Sequence, residues 1–131
     1  MTIEVSSRVL NDITEHAAKA DPRECCGILL GDRDRIVVAL SAANVHPRPE
    51  SHFEIDPQTL VDAHRAARQG GPTVAGYFHS HPNGLAEPSD TDRAQAVHDG
   101  SIWAIVAVGE VTFWRDEPDG FVPLSYRVCA S

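Results

Sequence analysis

The sequence predicts a mixed α/β fold in a single domain spanning residues 1–131, and three observations lead there. Short runs rich in Val, Ile and aromatic residues, bounded by Gly, Pro and Asp, read as strands. Between them lie stretches whose apolar residues recur three and four positions apart, as on one face of a helix. A chain of 131 residues that is 42% hydrophobic can bury one substantial core, and no second domain is expected. The chain carries no repeats or low-complexity tracts.

Taken in order, Thr2-Ile3-Glu4-Val5 suggests a short strand, after which Ser6 or Ser7 caps a helix with Val9, Leu10, Ile13 and Ala17 on one face. Asp21-Pro22 ends that helix. Residues 25–30 and 35–42 read as strands around a Gly31-Asp32 turn, residues 44–51 as a Pro-rich loop, and 53–55 as a return to strand. Asp56 as N-cap and Pro57 at the first helical position open a helix carrying Leu60, Val61, His64 and Ala67, which stops at Gly70-Gly71. Val74-Ala75-Gly76-Tyr77-Phe78 has the apolar and aromatic character of a buried strand. Later, residues 102–108 and 111–115 flank Gly109-Glu110 as a tight hairpin, and 121–128 forms a last strand that Pro123 assigns to a sheet edge.

The chemistry concentrates where the 74–78 strand runs on into His79-Ser80-His81. Side chains on a strand alternate with period two, so both imidazoles project to one side and Ser80 to the other. Pro82-Asn83-Gly84 turns the chain, and Pro88-Ser89 starts a helix with Ser89 as N-cap and Asp92 at its third position, a pattern that is equally an ordinary capping box. Two neutral imidazoles and one carboxylate are three protein ligands for Zn²⁺, leaving a fourth tetrahedral position for water, as catalytic zinc sites do. The positive charge of such a site lowers the pKa of its water towards about 7 and polarises a carbonyl. Hydrolysis of an amide also needs a group that takes a proton from water and returns it to the leaving amine. Glu24, in Pro22-Arg23-Glu24-Cys25-Cys26-Gly27, is a candidate too distant for spacing alone to assign. Ser89, if its hydroxyl points inward, could donate to the oxyanion.

Glu24, His79-Ser80-His81-Pro82, Ser89 and Asp92 together resemble the motif of the JAMM, or MPN-plus, metalloprotease family, with no motif position departing from the pattern. Residues 24–31 resemble that family's first core strand and 52–57 its passage from strand to helix, so the likeness covers most of the chain. The resemblance implies a mixed, curved β-sheet flanked by helices, with a cytidine-deaminase-like architecture. It also implies zinc bound by His79, His81 and Asp92, Glu24 as general acid/base, and Ser89 supporting the tetrahedral intermediate. The activity it implies is hydrolysis of the amide after a C-terminal Gly-Gly of a ubiquitin-like protein, and for compact members of this type a small sulfur-carrier protein. The short 83–88 loop does not resemble the long insertions with which relatives grip polyubiquitin. Two alternatives stand beside this: a RadC-like metal-dependent protein, which the 81–84 and 88–89 segments also resemble, and a non-catalytic scaffold, although scaffolds of this family usually lose the ligands that this chain keeps.

Other features narrow the field. A zinc deaminase needs His-x-Glu with a downstream Pro-Cys-x-x-Cys, which is absent. Cys25, Cys26 and Cys129 are too few and wrongly spaced for a disulfide framework or a Cys-rich zinc site, and Cys25 and Cys26 should face opposite sides of a strand. His16, His46, His52, His64 and His98 are expected in structural or solvent roles. The formal charge of −8 argues against a nucleic-acid surface and favours a neutral or basic protein partner. With no apolar leader and no run of eighteen or more apolar residues, neither secretion nor membrane insertion is expected, and free thiols suit the cytoplasm.

Overall fold

In the computed structural model, which describes residues 2–130, the elements run β1 (Thr2–Ser6), α1 (Ser7–Ala20), β2 (Cys26–Gly31), β3 (Arg35–Ala42), α2 (Pro57–Arg68), β4 (Thr73–Ser80), α3 (Asp90–Gln95), β5 (Ile102–Ala107), β6 (Glu110–Glu117) and β7 (Gly120–Cys129). The sheet order is β1-β3-β2-β4-β5-β6-β7, and it closes because β1 pairs in parallel with both β3 and β7. The expected curved sheet is thus rolled into a barrel, the limit to which strand twist carries a strongly coiled sheet. β4 and β5 are also parallel, and the other neighbours are antiparallel.

Alternation along the strands divides the interior in two. Cys25, Leu29 and Phe78 join Ile3, Val5, Ile36 and Phe113 beneath the Val9 and Ile13 face of α1, while Cys26 and Ile28 pack with Ile55 and Ala63 under α2. Each fully buried Ile, Leu or Phe contributes about 1.5–3 kcal/mol, so these two clusters hold the strands in register. The adjacent cysteines do face opposite sides. Every residue of β5 is buried, which explains its unbroken apolar run beside a parallel neighbour. β4 and β5 approach so closely that a β-carbon at Gly76 would fall on the Ile102 carbonyl oxygen, and only glycine fits there.

Three expectations are corrected. Residues 53–55 form no strand; only Ile55 bridges Asn44, because the Glu54 N–H donates to the Asn44 side chain instead of to a neighbouring strand. The β5–β6 turn is Val108-Gly109, one residue earlier than expected, with φ of 51° and 78°, since a two-residue turn of this hand needs both central residues left-handed. The α2 helix is as expected, and its buried face is Ala63 with half-buried Leu60 and Ala67, with Val61 and His64 exposed. β7 has neighbours on both sides and is not an edge strand. Pro123 lies in its first half, opposite Trp114 of β6 and before pairing with β1 begins at Ser125, where β7 has a neighbour on one side only.

Candidate metal centre

Pairing of β2 with β4 builds the site. Cys26 lies opposite His79 and Gly27 opposite Phe78, and the same register carried outwards sets Glu24 opposite His81. The Ser80 N–H accordingly donates to the Cys25 carbonyl at 3.1 Å. On the other side, the His81 N–H donates to the Val106 carbonyl at 2.9 Å, so the chain stays extended beyond the last residue of β4. Both imidazoles therefore emerge on one face, their ring centroids 4.8 Å apart.

The third donor comes from α3. Ser89 caps this helix with its Oγ accepting from the Asp92 N–H at 3.1 Å, while the Ser89 N–H donates to Asp92 Oδ2 at 3.0 Å. The capping-box reading of Ser-x-x-Asp holds, and the box fixes the Asp92 carboxylate where it faces the two imidazoles. His79 Nε2 lies 3.0 Å from His81 Nε2 and 3.0 Å from Asp92 Oδ1, and His81 Nε2 lies 3.1 Å from Asp92 Oδ2.

These donors fit a small divalent cation. Tetrahedral bonds of 2.0–2.1 Å to nitrogen and oxygen separate the ligand atoms by about 3.3 Å, close to the spacing found. His81 Nδ1 makes a 2.7 Å hydrogen bond to the Leu85 carbonyl, which as donor leaves Nε2 its lone pair. His79 Nδ1 is buried without a hydrogen-bond partner, and its ring is fixed by aromatic neighbours: Phe53 stacks on it at 4.3 Å and Trp103 meets it edge-on at 5.7 Å. Among the described residues, His79, His81 and Asp92 are the set of His, Cys, Asp and Glu side chains whose ligand atoms converge.

Electrostatics agree with that arrangement. Burial works against the charge on Asp92, but its contacts with His79 and His81 outweigh burial and hold the carboxyl well below the usual carboxylate range. Burial pulls His79 below the ordinary imidazole value. His81 is also penalised by burial, yet Asp92 and the Leu85 carbonyl carry it above that value. Glu24, only 7% exposed, is pushed up to about 7 by burial, with Asp92 adding to the rise and His81 opposing it. A carboxyl in that range can both accept and return a proton near neutrality.

All five expected site residues converge here. Glu24, His81 and Ser89 line one cleft of about 440 Å³ together with Glu50, Ser51 and the 82–88 loop. Elsewhere, His46 stacks on His52 at 4.7 Å, His16 stacks on Phe78 at 6.2 Å, and His98 meets Asp116 at 3.2 Å, while His64 is exposed. Burial raises the Cys25 thiol and pushes Cys26 up to about 12, so neither is poised as a thiolate. Sequence reasoning missed Phe53, which it placed in a strand, the Leu85 carbonyl, and Ser80, whose Oγ accepts from the Cys25 N–H at 2.8 Å. For Ser80 the alternation rule pointed away from the two imidazoles, and that orientation is what lets it hold the Cys25 N–H.

Comparison with known proteins follows the same lines. A sequence model described as prokaryotic homologs of the JAB domain matches residues 6–117. The chain is 34% identical over 123 residues to a desampylase of Haloferax volcanii, covering 92% of this chain and 88% of that one. It is 30% identical over 96 residues to a probable TtuB-protein conjugate cleaving protease of Thermus thermophilus, covering 73% of this chain and 64% of the other. In fold it matches a JAB1/MPN domain protein of Archaeoglobus fulgidus with a TM-score of 0.64 at 21% identity, over 96% of this chain and 98% of that one.

Proposed function

The chain belongs to the family of prokaryotic homologs of the JAB domain and is a peptidase of the JAMM type; on that premise we propose that it uses zinc to hydrolyse the amide bond after a C-terminal Gly-Gly of a ubiquitin-like or sulfur-carrier protein. The observation that carries this reading is the placement of Glu24, buried and raised to about 7, across the β2–β4 register from His81 in the convergent set of His79, His81 and Asp92.

In this reading His79 and His81 bind through Nε2 and Asp92 through its carboxylate. A zinc ion held by these residues would supply Lewis acidity, which lowers the pKa of a water towards about 7 and polarises a carbonyl. Glu24 takes the proton that the attacking water loses and delivers it to the leaving nitrogen as the C–N bond breaks, which returns the carboxylate to its starting state. The Ser89 Oγ accepts from the Asp92 N–H, and its own proton remains free to donate to the developing oxyanion. Phe53 and Trp103 pack against the His79 ring, which is fully buried and so shielded from water.

The substrate class comes from the likeness to a desampylase and to a protease that cleaves TtuB conjugates. An extended tail suits a cleft of this size beside the sheet, and a formal charge of −8 suits a neutral or basic partner rather than nucleic acid. No described helix is long and apolar enough to cross a membrane, and a cytoplasmic location is part of the proposal.

The test is incubation of zinc-loaded protein, with Glu24→Gln as control, against sulfur-carrier proteins extended beyond Gly-Gly, read by intact mass. Cleavage after Gly-Gly by the wild type alone supports the reading. Stoichiometric zinc with no cleavage overturns the substrate assignment, and failure to bind stoichiometric zinc after reconstitution overturns the metal assignment.

A further inference from the structure

The Glu24 carboxylate has no hydrogen-bond partner among the described residues, so its aim at the site depends on how its backbone is held. That backbone precedes β2 and is outside the ladder. Its N–H donates to the Pro49 carbonyl at 2.7 Å, and its carbonyl accepts from Asn44 Nδ2 at 3.0 Å. Both partners belong to one loop, which Asn44 and Ile55 close with an antiparallel bridge.

Asn44 is saturated. The same Nδ2 donates to the His52 carbonyl at 3.0 Å, and Oδ1 accepts from the His46 N–H at 3.1 Å and the Glu54 N–H at 3.0 Å. An amide side chain has two donors and two acceptor lone pairs, and all four are used in joining both limbs of the loop to Glu24. The loop also supplies Glu50 and Ser51 to the cleft wall, so one amide links the surface facing a substrate to the backbone of the base.

We infer that Asn44 is a positioning residue for Glu24, locking the loop and the base into one rigid unit. It touches neither the metal donors nor the reacting atoms, and it acts by fixing where the Glu24 carboxylate can reach. A displacement of about 1 Å at a reacting group is enough to cost on the order of 10²-fold in rate, which is the scale expected if this lock opens. The inference rests on the proposed role of Glu24 as base, but the lock itself is a property of the fold.

Asn44→Asp is the informative variant, because it keeps the shape and both acceptor contacts while setting oxygen against the Glu24 and His52 carbonyls. In zinc-loaded protein it should lower kcat by about 10²-fold with KM and zinc stoichiometry unchanged. Val45→Ala, on the same loop with its side chain exposed, should leave kcat unchanged. Hydrogen exchange provides a readout independent of any substrate: in Asn44→Ala the Glu24 amide should lose protection together with those of His46 and Glu54. A Glu24 amide that stays protected while the other two exchange would overturn the inference. So would an Asn44→Asp protein with wild-type kcat, or one that loses zinc and fold together with activity. Should wild type cleave no carrier, the functional reading fails and the exchange result still decides the lock.

Discussion

Ser80→Ala isolates one contact between the strand that carries the histidines and the segment that carries Glu24. Ser80 is 3% exposed, and its Oγ accepts from the Cys25 N–H at 2.8 Å. Alanine removes the acceptor and leaves a buried backbone N–H without a partner, which costs about 1–3 kcal/mol. Two smaller effects accompany this. The cavity is one oxygen atom, and relief of the hydroxyl's own desolvation is limited because that oxygen is already hydrogen-bonded. The stranded amide therefore wins, and the loss is a sizeable part of the roughly 5–15 kcal/mol that holds a domain of this kind together. Equilibrium urea unfolding of metal-free protein is the assay, since bound metal would add its own linkage. At an m-value of about 2 kcal/mol/M, a 2 kcal/mol loss moves the midpoint down by about 1 M with m unchanged. A shift equivalent to less than about 0.5 kcal/mol would refute the argument, because it would mean that the Cys25 N–H has another partner.

Further expectations concern the ligands, the turn, the sheet and the pH response. His79→Ala and Asp92→Ala should lose stoichiometric metal by elemental analysis, whereas Glu24→Gln should retain it and lose nearly all turnover. Val108→Asn should raise stability by about 1 kcal/mol in urea unfolding, because a 95% exposed β-branched residue at φ 51° is replaced by one that tolerates the left-handed region. Gly76→Ala should abolish soluble expression or lower the melting temperature steeply, since the Ile102 backbone must move to admit the methyl group. With zinc saturating, kcat/KM should fall as pH drops through an acid limb lying between 4.5 and about 7: burial raises Glu24 from 4.5 to about 7, and a bound cation pulls it back. In metal-free protein the raised carboxyl contributes stability that is full below 4.5 and lost as pH rises through about 7, so wild type should weaken relative to Glu24→Gln over that range. Parallel stability curves for the two proteins would contradict the burial of Glu24.

The sequence by itself determined whatever depends on neighbours along the chain. Period two brought His79 and His81 to one face, and the three-residue step from Ser89 to Asp92 built a capped helix start whose carboxylate turns back towards them. Asp56-Pro57 and the Gly70-Gly71 pair marked α2 for the same local reason. On α2 the buried face went to Ala63 because the barrel wall there is made by Ile28 and Ile55, which no local pattern reveals. Tertiary structure alone decided the rest. Glu24 meets His81 only through the β2–β4 register, across more than fifty intervening residues, and register is set by packing on both faces of β2. Asn44 reads in sequence as an unremarkable loop residue, and Phe53 as part of a strand, until the loop closes on Glu24 and the ring stacks on His79. Side chains that share a strand or a helix turn, as His79 with His81 and Ser89 with Asp92, are placed by covalent spacing, whereas Glu24 and its supports, brought together by long-range pairing, become visible only when the chain has folded.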